Sequence, residues 1–495
     1  MSSWSLLLPS DIRNQISSYL DQNNKYYLVI NYKKYLIKYV GKKNDKNNSI
    51  KYMVNLQKLY CKYYNIFTDA ELKYLTNLQV LDCGHNKNFT DKGIKHLTNL
   101  QELICVINSN FTDAGIKYLT NLKKLHCGCG TCNFTDKGLK YLTNLQELNC
   151  RFNENFTDKG LKYLTNLQKL YCGFNENFTD EGLKYLTNLQ KLDCYRNINF
   201  TDKGIKHLTN LHELHCGYNT NFTDEGIKHL TNLQILFCSK NTNFTDEGLK
   251  YLTNLQVLDC SRKNFNFTDE GIKHLTNLQK LLCGSNNNFT DSGIKNLTNL
   301  QVLYCEWNNN FTYKGLKNLI NLQELHCGYN TNNFIDKELS YLTNLQKLYC
   351  CGNIKFTDNG LKYLTNLQVL DCNNNVNFTD EGLKHLTNLQ VLDCKYNENF
   401  TNEGLKHLTN LKELHCGYTN NFTDDGLSYL TNLQKLYCYG NINFTDNGLK
   451  HLTNLQVLNC SSNKNFTDEG IKQLTNLQVL DCGYNTNFTD EVKTF

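Results

Sequence analysis

The sequence predicts an α/β solenoid, with a curved parallel sheet on the concave side, short helices on the convex side and a small all-α head at the N-terminus. Three observations predict it. Phenylalanine returns every 22 residues, from Phe67, Phe89 and Phe111 to Phe466 and Phe488, and the step lengthens to 23 at three places. Cysteine keeps the same step from Cys61, Cys83 and Cys105 to Cys460 and Cys482, so twenty of the 23 cysteines share one position of the period. Within each period the spacing of apolar residues changes from three to two, the mark of a helical segment followed by a strand.

One unit runs from Asp69 to Phe89. Leu72, Leu75 and Leu78 stand three apart and fit a short helix, with Thr68 or Asp69 as its N-cap. Leu81 and Cys83 stand two apart and fit a short strand. A lone strand and helix cannot bury their apolar faces. Stacked in parallel they bury Leu, Cys and Phe between neighbours, at about 1.5–3 kcal/mol for each large side chain removed from water. The glycine of the recurring FTDxG phrase (Gly93, Gly115, Gly138, Gly160) falls in the first helical turn, where it costs about 1 kcal/mol against alanine. Close approach of neighbouring helices accounts for it. The asparagine after the strand (Asn86, Asn108, Asn153, Asn175) is expected to bond main-chain groups one above another.

Composition agrees with a one-dimensional array. A chain of 495 residues with a single proline must use one connection chemistry over and over. Of the formal charge of +5, the excess lies before residue 54, where nine Lys or Arg face Asp11, Asp21 and Asp45. The remainder is close to neutral, which argues against nucleic acid as a partner. No apolar run approaches the roughly 18 residues that span a bilayer, and Met1 to Leu8 is too short for a signal peptide. The expected location is therefore the cytoplasm. The recurring Asn-Phe-Thr triplet (Asn88, Asn110, Asn155, Asn177) reads as structural and not as a glycan acceptor.

The phrase LxxLxxLxCxxNxxF in Leu75 to Phe89, followed by Thr90-Asp91-x-Gly93-Ile94, resembles the leucine-rich repeat. Its FTDxGL element is similar to the cysteine-containing subtype of F-box proteins, and it recurs in some twenty units over residues 54–495. Ahead of it, Leu8-Pro9 opens an amphipathic stretch with Ile12, Ile16 and Leu20 on one face. That opening resembles the F-box, which implies a head over residues 1–45, a linker over 46–53, and docking through Leu8, Pro9, Ile12, Ile16 and Leu20 on the Skp-type adaptor of a cullin-RING ubiquitin ligase. Tyr27-Leu28-Val29-Ile30 and Tyr35-Leu36 would supply the later helices. The other reading of the head is a cap that shields the first repeat. The Asn-, Lys- and Tyr-rich repeats with this head resemble the leucine-rich-repeat proteins of giant viruses of amoebae, which would make the location the host cytoplasm.

The cysteine ladder is read as buried free thiols, because side chains in register point the same way and stand too far apart for a bridge. Cys129 and Cys132 near His126 suggest a metal site by spacing alone, but Cys127 belongs to the inward ladder, so no metal is expected. Glu213 with His215, Glu324 with His326 and Glu413 with His415 recur without a nucleophile, so neither catalysis nor a cofactor is expected. Residues flanking each buried strand leucine alternate outward. Departures from the repeat place the partner-reading surface on Leu233 to Asn330, with Ile235, Phe237, Val257, Asp259, Tyr304, Trp307, Glu324 and His326, facing an unknown protein that the ligase would modify. The pairs of the last eight repeats, from Glu324/His326 to Val479/Asp481, are one four-repeat block copied, as Ser340 with Ser428 and Ile354 with Ile442 show. Where the chain ends, after Phe488, a further helix is expected to fray or to be covered by another chain.

Overall fold

In the computed structural model the described residues are 26–29, 55–63, 67–130, 132–262, 266–329, 334–419, 421–489 and 492. They fall into two units, residues 1–236 and 237–495, with the strand Ile235–Phe237 at the division. Leu8, Pro9, Ile12, Ile16 and Leu20 lie outside the described residues, as do Ile30, Tyr35 and Leu36.

Both units are built from one turn of chain repeated. In the first, parallel strands follow one another in sequence order from Leu56–Tyr60 and Val80–Asp82 through Lys191–Asp193 to Glu213–His215. In the second they run from Val257–Asp259 and Lys280–Leu282 to Val457–Asn459 and Val479–Asp481. Each strand is three residues long in most turns, with its central leucine buried and its flanks half-exposed. Leu81, Cys83 and Phe89 of one turn are fully buried, like their equivalents in the turns between the first and the last, while Leu480 and Cys482 of the last turn are half-buried. The interior is therefore formed between successive turns, as the apolar spacing required.

Two readings of the sequence are corrected here. The LxxLxxL segment is only partly helix: Asp69–Leu72 is helical. Leu75 N–H then donates to the Leu72 carbonyl and Leu78 N–H to that of Leu75, both at 2.9 Å. Bonds of i to i+3 type have three residues per turn, which is why the leucines keep a spacing of three. The head is also not all helix. Tyr26–Val29 is a strand, paired in parallel with Leu56–Tyr60 with a register shift between Tyr26 and Tyr27. Aromatic and branched residues favour that conformation, and the pairing covers the edge the first repeat strand would leave open.

The helices are tied together by a clamp. In the first unit Asp69 accepts from Thr90 N–H (2.8 Å) and from the Thr90 hydroxyl (2.5 Å) one turn later. In the second, Asp269 does the same for Thr290 at 2.8 and 2.5 Å. The threonine is at the same time the N-cap of its own helix, accepting from the N–H of the second helical residue, Lys92 for Thr90 and Ser292 for Thr290. The recurring glycine makes room for this carboxylate. A Cβ at Gly138 would stand 2.5 Å from Asp113 Oδ1, and one at Gly360 would stand 2.7 Å from Asp336 Oδ1.

Three asparagine ladders add to the clamp. Asn108 Nδ2 donates to the Asn86 carbonyl at 2.7 Å, and Asn397 to that of Asn375 at 2.6 Å. Asn110 of an Asn-Phe-Thr triplet donates to the Lys87 carbonyl at 2.6 Å, and Asn99 to that of Thr76 at 3.0 Å. The asparagine that follows the strand is buried, so its amide needs a partner within the protein; Asn108 and Asn397 find one in the preceding turn, whereas Nδ2 of Asn153 and of Asn353 has none among the described residues.

Candidate functional site

The strand register of the second unit places Asp259, Leu282, Tyr304, His326 and Tyr349 in one row across five strands of the open sheet face. The last three form a continuous stack. The rings of Tyr304 and His326 are 3.5 Å apart at 15°, and those of His326 and Tyr349 are 3.9 Å apart at 14°. Glu324 holds the stack in place. It accepts from the Tyr304 hydroxyl at 2.9 Å and from Lys347 Nζ at 3.1 Å, and its Oε1 lies 2.7 Å from His326 Nε2. Glu306 lies 3.8 Å from the other ring nitrogen, and Lys280 sits 5.3 Å over the Tyr304 ring.

These contacts set the protonation of the row. Burial works against the Glu324 charge, but the bonds from His326, Tyr304 and Lys347 outweigh it and hold the carboxyl below its ordinary range. Tyr304 is pushed up by burial and then by Glu324, so its hydroxyl stays a donor. The result is a pre-ordered row of stacked rings, their faces turned to one another, with a fixed carboxylate beside it. Such groups lose little freedom on contact with a partner.

A second row lies on the turns that follow the strands. Trp307 and Tyr329 take left-handed backbone (φ 61° and 58°) and stack at 4.6 Å and 11°. Trp307 is 54% exposed, and Cys351 Sγ donates to the Tyr329 hydroxyl at 3.3 Å. The left-handed region costs an L-residue about 1–2 kcal/mol and suits glycine or asparagine. Glycine does occupy it at Gly352 and Gly440. Residues as different as Lys240, Ser285 and Asn374 adopt it at the equivalent position, so the conformation belongs to the turn of the repeat, and what distinguishes Trp307 and Tyr329 is the exposed ring each presents there.

Of the residues predicted for this surface, Tyr304, Glu324 and His326 are brought together, and Trp307 belongs to the neighbouring turn row. Asp259 shares the strand row but accepts from the Ser239 hydroxyl of the preceding turn at 2.9 Å and from Ser261 N–H of its own at 3.0 Å, so it is committed to these turns. Val257, Ile235 and Phe237 are half-buried strand residues, Ile235 in the first unit and the others in the second. Tyr349 and Lys347 belong to the copied block of the last eight repeats and so do not stand out in the sequence. The register pairing His326 with Tyr349 and Glu324 with Lys347 is the signal that includes them.

The arrangement recurs four turns later. Glu413 Oε1 lies 2.8 Å from His415 Nε2 and Glu413 accepts from Lys435 at 2.9 Å, while His415 stacks on Tyr437 at 4.2 Å and 15°. Asp393 takes the register position that Tyr304 holds beside His326, so this copy has two rings instead of three, and the Asp393 carboxylate lies 3.9 Å from the other ring nitrogen of His415. In the first unit His215 lies 2.6 Å from Glu213, and His126 lies 2.8 Å from Glu147. Each of these four strand histidines is thus held by a glutamate.

Cys127 and Cys132 are buried and Cys129 is exposed, so the three thiols do not converge on one point. Cys132 donates instead to the Cys105 carbonyl at 3.3 Å. Among the described residues no group of three or more His, Cys, Asp or Glu is placed to hold a metal ion, and no helix is long and apolar enough to cross a membrane.

A sequence model of the family described as Leucine Rich repeat matches residues 141–165 and 451–474. Comparison with curated proteins gives no match. Among solved structures, the chain is similar to TLR13 in its complex with ssRNA13, at 20% identity over 88% of this chain and 72% of that one, with a TM-score of 0.55. An internalin (inlF) from Listeria monocytogenes is 23% identical over 70% of this chain and 94% of its own, with a TM-score of 0.46. The plant peptide hormone receptor RGFR1, solved with RGF2, is 20% identical over 85% and 76%, with a TM-score of 0.43. The fold is a leucine-rich-repeat solenoid of parallel strands alternating with short helices.

Proposed function

We propose that the protein is a non-catalytic binding scaffold whose open sheet face in the second unit captures a protein partner. One observation carries this reading: Tyr304, His326 and Tyr349 form a ring stack on the open sheet face, fixed by Glu324, with His326 buried between two half-exposed tyrosines. Tyrosine and tryptophan in pre-ordered clusters are the side chains on which interfaces concentrate their energy. A finer reading follows from the head. With Leu8, Pro9, Ile12, Ile16 and Leu20 engaging a Skp-type adaptor, the captured protein becomes the substrate of a cullin-RING ubiquitin ligase in the cytoplasm. Its support is the sequence of the head. A scaffold without a ligase link is the other reading, and the strand Tyr26–Val29 favours it, because that strand caps the first repeat.

Two experiments separate these. Partners recovered by the wild-type chain are compared with those of a Tyr304→Ala, His326→Ala, Tyr349→Ala variant. Loss of about 2 kcal/mol or more of binding is expected for a central anchor. An unchanged set of partners would remove the surface from consideration. Adaptor recovery is then compared between wild type and Leu8→Ala with Pro9→Ala. Recovery lost in the variant supports the ligase; equal recovery, or none from either, leaves the scaffold.

A further inference from the structure

The first unit carries a surface that the reading above does not use. The turns after four successive strands present Phe152, Phe174, Arg196 and Tyr218, all in left-handed backbone with φ of 60°, 61°, 58° and 62°. Phe152 and Phe174 stack at 4.3 Å and 16°, Phe174 meets Tyr195 at 5.5 Å, and Tyr195 meets Tyr218 at 5.1 Å. Arg196 lies among these rings, its guanidinium 4.6 Å from the Tyr218 centroid, 5.4 Å from Phe174 and 5.9 Å from Tyr195. Phe152 is 47% exposed, and Arg196 is exposed as well.

The charge arrangement is uneven. Arg151, one turn before Phe174, is bonded to the buried carboxylate of Asp193. Lys191 is bonded to Glu213 at 2.7 Å. Arg196 has no such partner: among the described residues it forms no ion pair. A guanidinium laid against aromatic faces keeps its N–H edge turned outward in a planar fork, and that fork matches a carboxylate. The stacked phenylalanines beside it offer an apolar contact to the neighbouring side chain. A nucleic-acid strand fits less well, because it needs cations repeated along its backbone, and the other basic groups of this rim are already neutralised by Asp193 and Glu213.

We propose that this rim of the first unit is a second interaction surface that takes an extended acidic peptide of a partner protein, with a Glu or Asp received by Arg196 and an adjoining aromatic residue received by Phe152 and Phe174. The full-length chain is titrated against a fluorescein-labelled Gly-Glu-Phe-Glu-Gly amide, and binding is read by anisotropy. Gln-Phe-Gln and Glu-Gly-Glu versions and a labelled oligothymidylate serve as comparisons. Binding of the acidic aromatic peptide is expected, at least tenfold weaker with Arg196→Ala and with either altered peptide, and partly retained with Arg196→Lys, which keeps the charge and loses the fork. Arg196→Gln, which keeps the flat side chain, serves if Arg196→Ala lowers the melting temperature. His326→Ala with Tyr349→Ala should leave this binding unchanged, so its failure and that of the scaffold surface are told apart. No binding up to millimolar peptide, equal binding by the Arg196 variants or by the Gln peptide, or tighter binding of oligothymidylate would overturn the proposal.

Discussion

At the scale of single residues, the chain tests its own clamp. Asn402 stands where other turns have aspartate. It accepts from Thr423 N–H at 3.1 Å, and its Nδ2 donates to the Thr423 hydroxyl at 2.8 Å. The hydroxyl is thereby turned from donor to acceptor, and the side-chain cap of that helix is lost. Asn402→Asp should restore a charge-assisted bond and the cap together, and stabilise the protein by about 0.5–1.5 kcal/mol in denaturant unfolding. The glycine follows the same logic. Glu71 and Glu338 occupy the glycine position; for Glu338 the preceding turn has Tyr313 in place of aspartate and Ile335 replaces the threonine. With no carboxylate to accommodate, no glycine is needed. Val492 holds the same position with Asp468 in place, and nothing in the structure explains it. Gly138→Ala should therefore cost about 1–3 kcal/mol by crowding Asp113, while Glu338→Ala should change stability by less than about 0.5 kcal/mol, both read from chemical melts.

At the scale of the element, the sheet rows carry a pH dependence. Burial opposes the charges of Glu213, Glu324 and Glu413, and their bonds to histidine and lysine prevail, so all three carboxyls sit below their ordinary range. A carboxyl whose folded value is depressed binds fewer protons than its unfolded counterpart. Its contribution is complete above the unfolded value of about 4.3 and is lost as pH falls through the folded value. The protein should lose stability below about pH 4, and a triple Glu→Gln variant should show a shallower acid slope in urea midpoints measured between pH 6 and 3. An unchanged slope would mean that these bonds do not form. The helices were readable in part: Thr68 and its equivalents announce their N-caps, yet the leucine spacing of three alone does not distinguish a helix from the chained turns that follow it.

At the scale of the whole molecule, period and interior were legible because every turn repeats the same apolar positions. Phe89, Cys83 and Leu81 could be placed inside from spacing alone, and the buried asparagines follow from the need to pair their amides. What spacing does not reveal is what one turn does to the next. The Asp69 to Thr90 clamp joins positions 21 residues apart, and the left-handed turns that hold Trp307 and Phe152 have no glycine to announce them. The surface was legible as a set of outward positions. The grouping of Tyr304, Glu324, His326 and Tyr349 emerges only when neighbouring strands are put in register.

The account rests on an interior shared between successive turns, and thiol reactivity tests it most directly. Twenty cysteines are buried; Cys129 is exposed, and Cys351 and Cys482 are half-buried. Burial also pushes the ladder thiols up, Cys460 to about 12, so that little reactive thiolate forms in the native state. Titrated with an excess of an aromatic disulfide reagent under native conditions, the protein should release the equivalent of up to three thiols. The other twenty should react only on unfolding. Prompt reaction of ladder cysteines such as Cys194 or Cys394 in the native protein would contradict the stacked interior and everything derived from it.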